Sequence, residues 1–274
     1  MDIAGKCIIV TGGSSGIGKE IAKIFVRRGA HVFLVARREE VLRTAVEEVK
    51  REATDSSQRF GYFSADVSDL DAVKNAVSAA EAECGPPAVL INAAGIVRPG
   101  YVEELPISGM EAEMGINFLG TMYMIKHVLD GMIERRSGWI LNVSSLGGVK
   151  GIFGYTGYSG SKFAIVGISE ALRSEMRPHG IHVSVLCPPD VDTPTFEEEN
   201  KVKPLETMRI SEGGKVMQPQ DVARAAVDGM EKGTFIIIPN FPGKLFYHVN
   251  RLMPSLLDRF FDKTVAKVRK ERGL

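Results

Sequence analysis

Long apolar runs, paired cysteines and an excess of either charge are all missing from this sequence. No uninterrupted apolar stretch approaches the roughly 18 residues of a membrane-spanning helix, so no span is expected. The three cysteines, Cys7, Cys84 and Cys187, lie far apart, which points away from a disulfide framework and from a metal site. Cys7 and Cys187 fall inside apolar runs and read as buried thiols, which fits a reducing compartment such as the cytosol. Lys plus Arg and Asp plus Glu each number 34, so the formal balance is zero and no nucleic-acid partner is expected. The opening MDIAGKCIIVTGG lacks the basic start and long apolar run of a signal peptide. Internal repeats and low-complexity linkers are absent as well. What the 274 residues do hold is 44% hydrophobic side chains, enough for the core of one α/β domain.

Apolar runs and helical patterns alternate along the chain. Lys6 to Val10 reads as a buried strand, followed by the glycine-rich Thr11 to Gly18 and a helical pattern from Ile17 to Arg28. Such a turn lets the backbone approach a pyrophosphate, and the helix start offers free N–H groups to it. The spacing, Gly12, Gly16 and Gly18, is G-x-x-x-G-x-G rather than G-x-G-x-x-G. His31 to Ala36 is the second strand, and Ala36 stands where an NAD site would place an acid. Arg37 and Arg38 follow and suit a 2′-phosphate, so NADP(H) is the expected cofactor; a solvated charge pair is the plainer alternative. Further strands are expected at Arg59 to Ser64, Ala88 to Ile91, Trp139 to Val143, His182 to Leu186 and Phe235 to Ile238. Asp66 and Val67 at the third strand end suit an adenine, or simply a helix start. Asn92 ends the fourth strand, where it can tie neighbouring strands together. Asn117 interrupts a long helical pattern from Glu111 to Arg135, which suggests a kink that frees a carbonyl, or a satisfied buried amide. Seven alternating strands imply a doubly wound sheet with its ligand crevice at the carboxyl ends of the strands.

The chemistry is concentrated between Ser145 and Lys162. Tyr158 and Lys162 share one face of the first turn of a helix expected over Ser159 to Pro178. A lysine ammonium beside a phenol should bring its acidity toward working pH, and the Ser145 hydroxyl can bond the oxygen that Tyr158 protonates. That set equips the chain for carbonyl reduction if a hydride is supplied.

These pieces together resemble the short-chain dehydrogenase/reductases over nearly the whole chain. The matching segments are Thr11 to Gly18, Asn92 to Gly95, Asn117, Ser145 and Tyr158 to Lys162. The resemblance implies one Rossmann-type α/β domain over 1–240. It implies Tyr158 as acid, Ser145 as carbonyl polariser, Lys162 on the nicotinamide ribose and Asn117 holding a relay water. It places the cofactor against Gly12, Ser14, Ser15, Gly16, Ile17 and Gly18, then Arg37, Arg38, Asp66 and Val67. Asn92, Ala93, Gly95, Tyr158, Lys162, Pro188, Val191 and Thr193 complete that set. A homodimer or homotetramer is implied too. Two departures stand out: N-A-A-G replaces N-N-A-G, and Pro188-Pro189-Asp190 replaces a proline-glycine. The loop from Pro188 to Thr207 is similar to that of the 3-ketodihydrosphingosine reductases, which implies a long-chain lipid ketone as substrate. Asp190 or Asp192 would then pair with the substrate amine.

Residues 190–215 read as a mobile lid with a short helix or two. Residues 241–274 form an amphipathic extension with a basic tail, in which Pro254 starts or kinks a helix. It suits peripheral contact with a membrane surface, or docking on the chain's own lid or on a second subunit. Rival functions are a reductase of 3-oxoacyl thioesters or steroid-like alcohols, and a non-catalytic NADP(H)-binding regulator.

Overall fold

The computed structural model describes residues 1–212 and 214–273; Gly213 of the expected lid and Leu274 of the extension lie outside the described residues. The strands are β1 (Cys7–Thr11), β2 (His31–Ala36), β3 (Phe60–Ser64), β4 (Pro87–Asn92), β5 (Gly138–Val143), β6 (Ile181–Leu186) and β7 (Ile236–Ile237). They form one parallel sheet in the order β3-β2-β1-β4-β5-β6-β7, as the alternation of strand and helix predicts. Order reverses between β1 and β4, and the crevice opens beyond that switch point.

Both faces of the sheet are covered, so its strands are apolar on both sides. Ile8, Val10, Val32 and Leu34 join one core with Ile21 and Phe25 of α1 (Gly16–Arg27) and Leu42 of α2 (Glu39–Lys50). Cys7, Ile9, Phe33 and Val35 alternate with them. They join a second core with Val73 of α3 (Leu70–Cys84) and Met124 and Met132 of α5 (Gly120–Arg135). Each fully buried side chain of this size contributes about 1.5–3 kcal/mol. α9 (Pro219–Glu231) packs on α1.

The long helix expected around Asn117 is divided. α4 (Ile107–Glu113) passes into a π-helical turn, Met114–Leu119, and then into α5. Asn117 lies inside that turn, so the sequence's hint of a local irregularity has a structural counterpart. The next helix, α6 (Thr156–Met176), starts three residues earlier than its pattern suggests.

The lid contains α7 (Pro194–Asn200) and α8 (Leu205–Ser211), and Glu206 and Thr207 are buried in it. α10 (Phe241–Leu252) and α11 (Pro254–Glu271) follow β7, with Pro254 opening α11. α11 packs along α8 and α10. It is tied to the lid by Arg272, whose guanidinium donates to the Tyr101 hydroxyl at 2.6 Å, while that hydroxyl donates to buried Glu206 at 2.9 Å. Lys150 pairs with Asp258, and Asn250 donates to the Val149 carbonyl at 2.7 Å. Of the arrangements open to the extension, docking on the chain's own lid is therefore present. Among the described residues no helix is long and apolar enough to cross a membrane.

Candidate active site

The end of β5 and the first turn of α6 are joined by two hydrogen bonds running in opposite directions. The Ser144 hydroxyl donates to the Lys162 carbonyl, and the Lys162 ammonium donates to the Val143 carbonyl, each at 2.9 Å. Gly148 makes this approach possible, because a Cβ there would lie 2.7 Å from the Lys162 carbonyl oxygen. The stitch sets Ser145, just past the strand, against Tyr158. The Ser145 hydroxyl lowers the proton affinity of the Tyr158 phenol, and its oxygen accepts from the Gly147 N–H at 3.0 Å.

The electrostatics differ from the sequence expectation in one respect. Burial raises the Tyr158 phenol above its ordinary value, opposed by the Ser145 hydrogen bond and reinforced by Glu199, Asp190 and Glu113. The Lys162 ammonium is bonded to Val143 and stands 5.6 Å from the Tyr158 ring centroid, so it does not bring the phenol toward working pH in this geometry. Such a phenol keeps its proton until a stronger base, such as a nascent alkoxide, appears beside it. Burial also pushes Lys162 down to about 8, against the opposing influence of Cys187 and Glu113.

Tyr158, Ser145 and Lys162 open into a crevice of about 1190 Å³. It is lined by Gly12, Ser14, Ser15, Gly16, Ile17 and Gly18, by Arg37, Arg38, Asp66, Val67, Ala93 and Gly95, and by Pro188, Val191 and Thr193. These residues fit a dinucleotide. Ser15 makes no side-chain cap and the first turn of α1 holds no acid, so its N–H groups are left to an anion. Gly12 adopts φ 63°, and a Cβ there would lie 2.6 Å from the Ala93 carbonyl, so the turn admits only glycine. At the β2 end the Arg37 guanidinium stands 3.8 Å from Asp66. Burial pushes the Asp66 carboxyl up, but hydrogen bonds from Ser68 and the Arg37 charge outweigh it and hold it low.

Three named residues lie outside this lining. Asn92 is buried in the sheet and donates to Asn142 on β5 at 2.9 Å, so its amide ties strands together. The Asn117 amide brackets Ile96, accepting from its N–H at 2.8 Å and donating to its carbonyl at 2.9 Å. Its own carbonyl accepts the Thr121 hydroxyl at 2.8 Å, using one of two lone pairs. Asp192 is exposed and accepts from Gln218, whereas Asp190 lines the crevice.

The structure also brings in side chains that no motif marked. The Tyr155 ring lies 5.6 Å from that of Tyr158, tilted by 53°, and its hydroxyl donates to Glu199, which pairs with buried Lys203 at 2.6 Å. Phe246, Leu257, Phe260 and Phe261 of the C-terminal helices make the outer wall apolar. Only their amphipathic spacing marked them in the sequence.

A family model described as short chain dehydrogenase matches residues 6–204. The 3-ketodihydrosphingosine reductase of Bos taurus is 44% identical over 234 residues, 85% of this chain and 70% of that protein. That of Dictyostelium discoideum is 35% identical over 280 residues, 97% of this chain and 84% of its own. Among solved structures, levodione reductase superposes with a TM-score of 0.78 at 24% identity, covering 86% of this chain and 96% of its own. A 3-oxoacyl-[acyl-carrier protein] reductase from Brucella melitensis with bound NAD gives 0.74 at 25%, covering 86% and 90%.

If the site donates a proton from Tyr158 while Lys162 stays charged, carbonyl reduction should fall as pH rises through about 8, where Lys162 loses its proton. A profile of kcat/KM against pH checks this, and a flat profile to pH 10 would contradict it.

Proposed function

The chain belongs to the short-chain dehydrogenase family, and from that premise we propose that it reduces 3-ketodihydrosphingosine, a long-chain 2-amino-3-ketone, with NADPH. The observation that carries this reading is one crevice holding three unlike walls. They are the Ser145–Tyr158 pair, a half-buried carboxylate at Asp190, and an apolar rim from α10 and α11. A thioester or steroid has no ammonium for Asp190 to meet, and a non-catalytic binder has no use for a buried phenol held by a serine.

Gly12 to Gly18 would hold the pyrophosphate of a nicotinamide dinucleotide, which when bound and reduced would supply the hydride for the carbonyl carbon. The Ser145 hydroxyl binds the carbonyl oxygen and stabilises the charge that develops on it. Tyr158 then gives its proton to that oxygen, so ketone, hydride and proton become the alcohol. Lys162, fixed by the Val143 carbonyl, would hold a ribose hydroxyl of that cofactor. Arg37 and Arg38 would hold the 2′-phosphate.

The amine is assigned to Asp190. Glu199 is already neutralised by Lys203 and Tyr155. Asp190 makes no side-chain hydrogen bond or ion pair among the described residues, and burial raises its carboxyl against the pull of Lys203. A substrate ammonium would compensate that half-buried charge. The aliphatic tail would leave past Phe246, Leu257 and Phe261. Leu252, Met253, Leu256 and Phe260 stay exposed beyond them, next to Arg251, Arg259, Lys263 and Lys267. That combination supports contact with an anionic membrane surface that holds the lipid.

Turnover of 3-ketodihydrosphingosine with NADPH tests the assignment directly, and no reduction of it beside good reduction of 3-oxoacyl thioesters would reject it. Asp190→Asn should lower kcat/KM about 30-fold for the aminoketone, the scale of ~2 kcal/mol for a buried charge pair. It should spare a ketone lacking the amine; equal losses on both would remove Asp190 from amine recognition. Arg37→Asp should lower the NADPH-to-NADH preference by about tenfold or more. An unchanged ratio means that Arg37 does not read the phosphate. Co-sedimentation with phosphatidylserine-containing liposomes, lost on Leu256→Glu with Phe260→Glu, checks the membrane contact; equal pelleting of both proteins would count against it.

A further inference from the structure

Glu113, the last residue of α4, is completely buried. One carboxyl oxygen accepts the Arg98 N–H at 2.7 Å. The other has no hydrogen-bond partner among the described residues. A carboxyl at such a point is costly if charged and would be replaced without loss of shape by glutamine. Its surroundings suggest why an acid stands there.

The partnerless oxygen lies against the backbone of α6 at Gly157, the residue before Tyr158. A Cβ on Gly157 would be 2.3 Å from it, so glycine is what lets the carboxyl come so close. Four residues on, Asn117 makes the matching contact one turn along α6, donating to the Ser161 hydroxyl at 2.8 Å. The Asn117 carbonyl-side oxygen and the Lys162 ammonium converge on Gly95, 3.2 and 3.3 Å from where its Cβ would be. Glu113 therefore belongs to the buried seam that carries both Tyr158 and Lys162. The charged and titratable groups acting on it from neighbouring elements are Arg98 from the loop after β4 and Lys162 from α6. In return its charge is felt by Tyr158 and Lys162.

We propose that Glu113 is a positioning residue for the reduction, a buried carboxyl whose charge holds the protons on Tyr158 and Lys162 through space. The idea rests on reading that pair as the proton-donating unit. Burial pushes the Glu113 carboxyl up to about 7, against the Arg98 N–H, the Arg98 charge and Lys162. It is therefore neutral in mild acid and charged above neutrality. The sign follows directly. Once ionised, the carboxylate raises the proton affinity of both neighbours and extends the ammonium form of Lys162 to higher pH. Neither a bond nor a proton passes through Glu113 in this role.

The test combines two readouts. In protein labelled with [ε-13C]lysine, an NMR titration of Lys162, assigned through Lys162→Arg, needs no substrate. Glu113→Gln should lower its midpoint by about one pH unit, a tenfold change in proton affinity, and Glu113→Asp should restore most of it. The alkaline limb of kcat/KM should move down by the same amount in Glu113→Gln and return in Glu113→Asp. An unmoved Lys162 midpoint overturns the proposal, whatever happens to turnover. A moved midpoint in a protein that does not reduce the ketone leaves the coupling standing and rejects only the assigned substrate. Should Glu113→Gln fail to fold, the wild-type curve decides. Two inflections in the Lys162 signal, one near neutrality, support the coupling, and a single one overturns it.

Discussion

The site depends on the reciprocal bonding between the end of β5 and the first turn of α6. A serine hydroxyl reaches the backbone of the helix, and a lysine ammonium reaches the backbone of the strand. Each bond is buried, so leaving either partner unmet would cost the full desolvation of a polar group. The pairing settles the distance between strand and helix, and with it the meeting of Ser145 and Tyr158. Asn142, one strand residue earlier, extends the same seam by bonding Asn92 on β4 and Ser169 farther along α6. The Ser145 and Tyr158 hydroxyls thus stand beside elements locked to one another.

Burial then does the chemical tuning. It drives the phenol up and the ammonium down, which are the directions that desolvation imposes on an acid and on a base. A phenol so raised stays protonated across the neutral range. Burial also leaves Asp190 as a carboxylate in want of a cation while Glu199 is satisfied by Lys203. The outer part of the crevice follows another logic. There the C-terminal helices present aromatic rings; the Arg272–Glu206 ion pair straps them to the lid and the Lys150–Asp258 pair to the segment after β5.

Much of this was legible in the residues themselves. Strand and helix alternation placed the seven strands within a residue or two for most elements, because a strand buried on both faces must be apolar throughout. The glycine loop was readable because only glycine tolerates the positive φ of Gly12 and its contact with Ala93. Asn117 was flagged as awkward within a helix, and a π-helical turn surrounds it. Other residues carried no such mark. Asp190 and Asp192 are two positions apart and look alike, yet one lines the crevice and the other meets Gln218. Asn92, by contrast, was readable as a tie between neighbouring strands, and its amide does reach Asn142 on β5. Tyr155, Glu113 and Lys203 belong to no pattern of spacing and gained their places through distant contacts.

The sequence by itself determined the alternation, the turn chemistry and the presence of a hydroxyl, a phenol and an amine in helical register, since these are local consequences of residue type and spacing. Only the tertiary structure decided which charges lost their water. Desolvation depends on what distant segments bring to the same place: α4 against α6 at Glu113, the lid against Tyr155, and α11 against α8. Proton affinities follow from that enclosure, so the acidity of Tyr158 could not be read from the lysine one turn along its own helix.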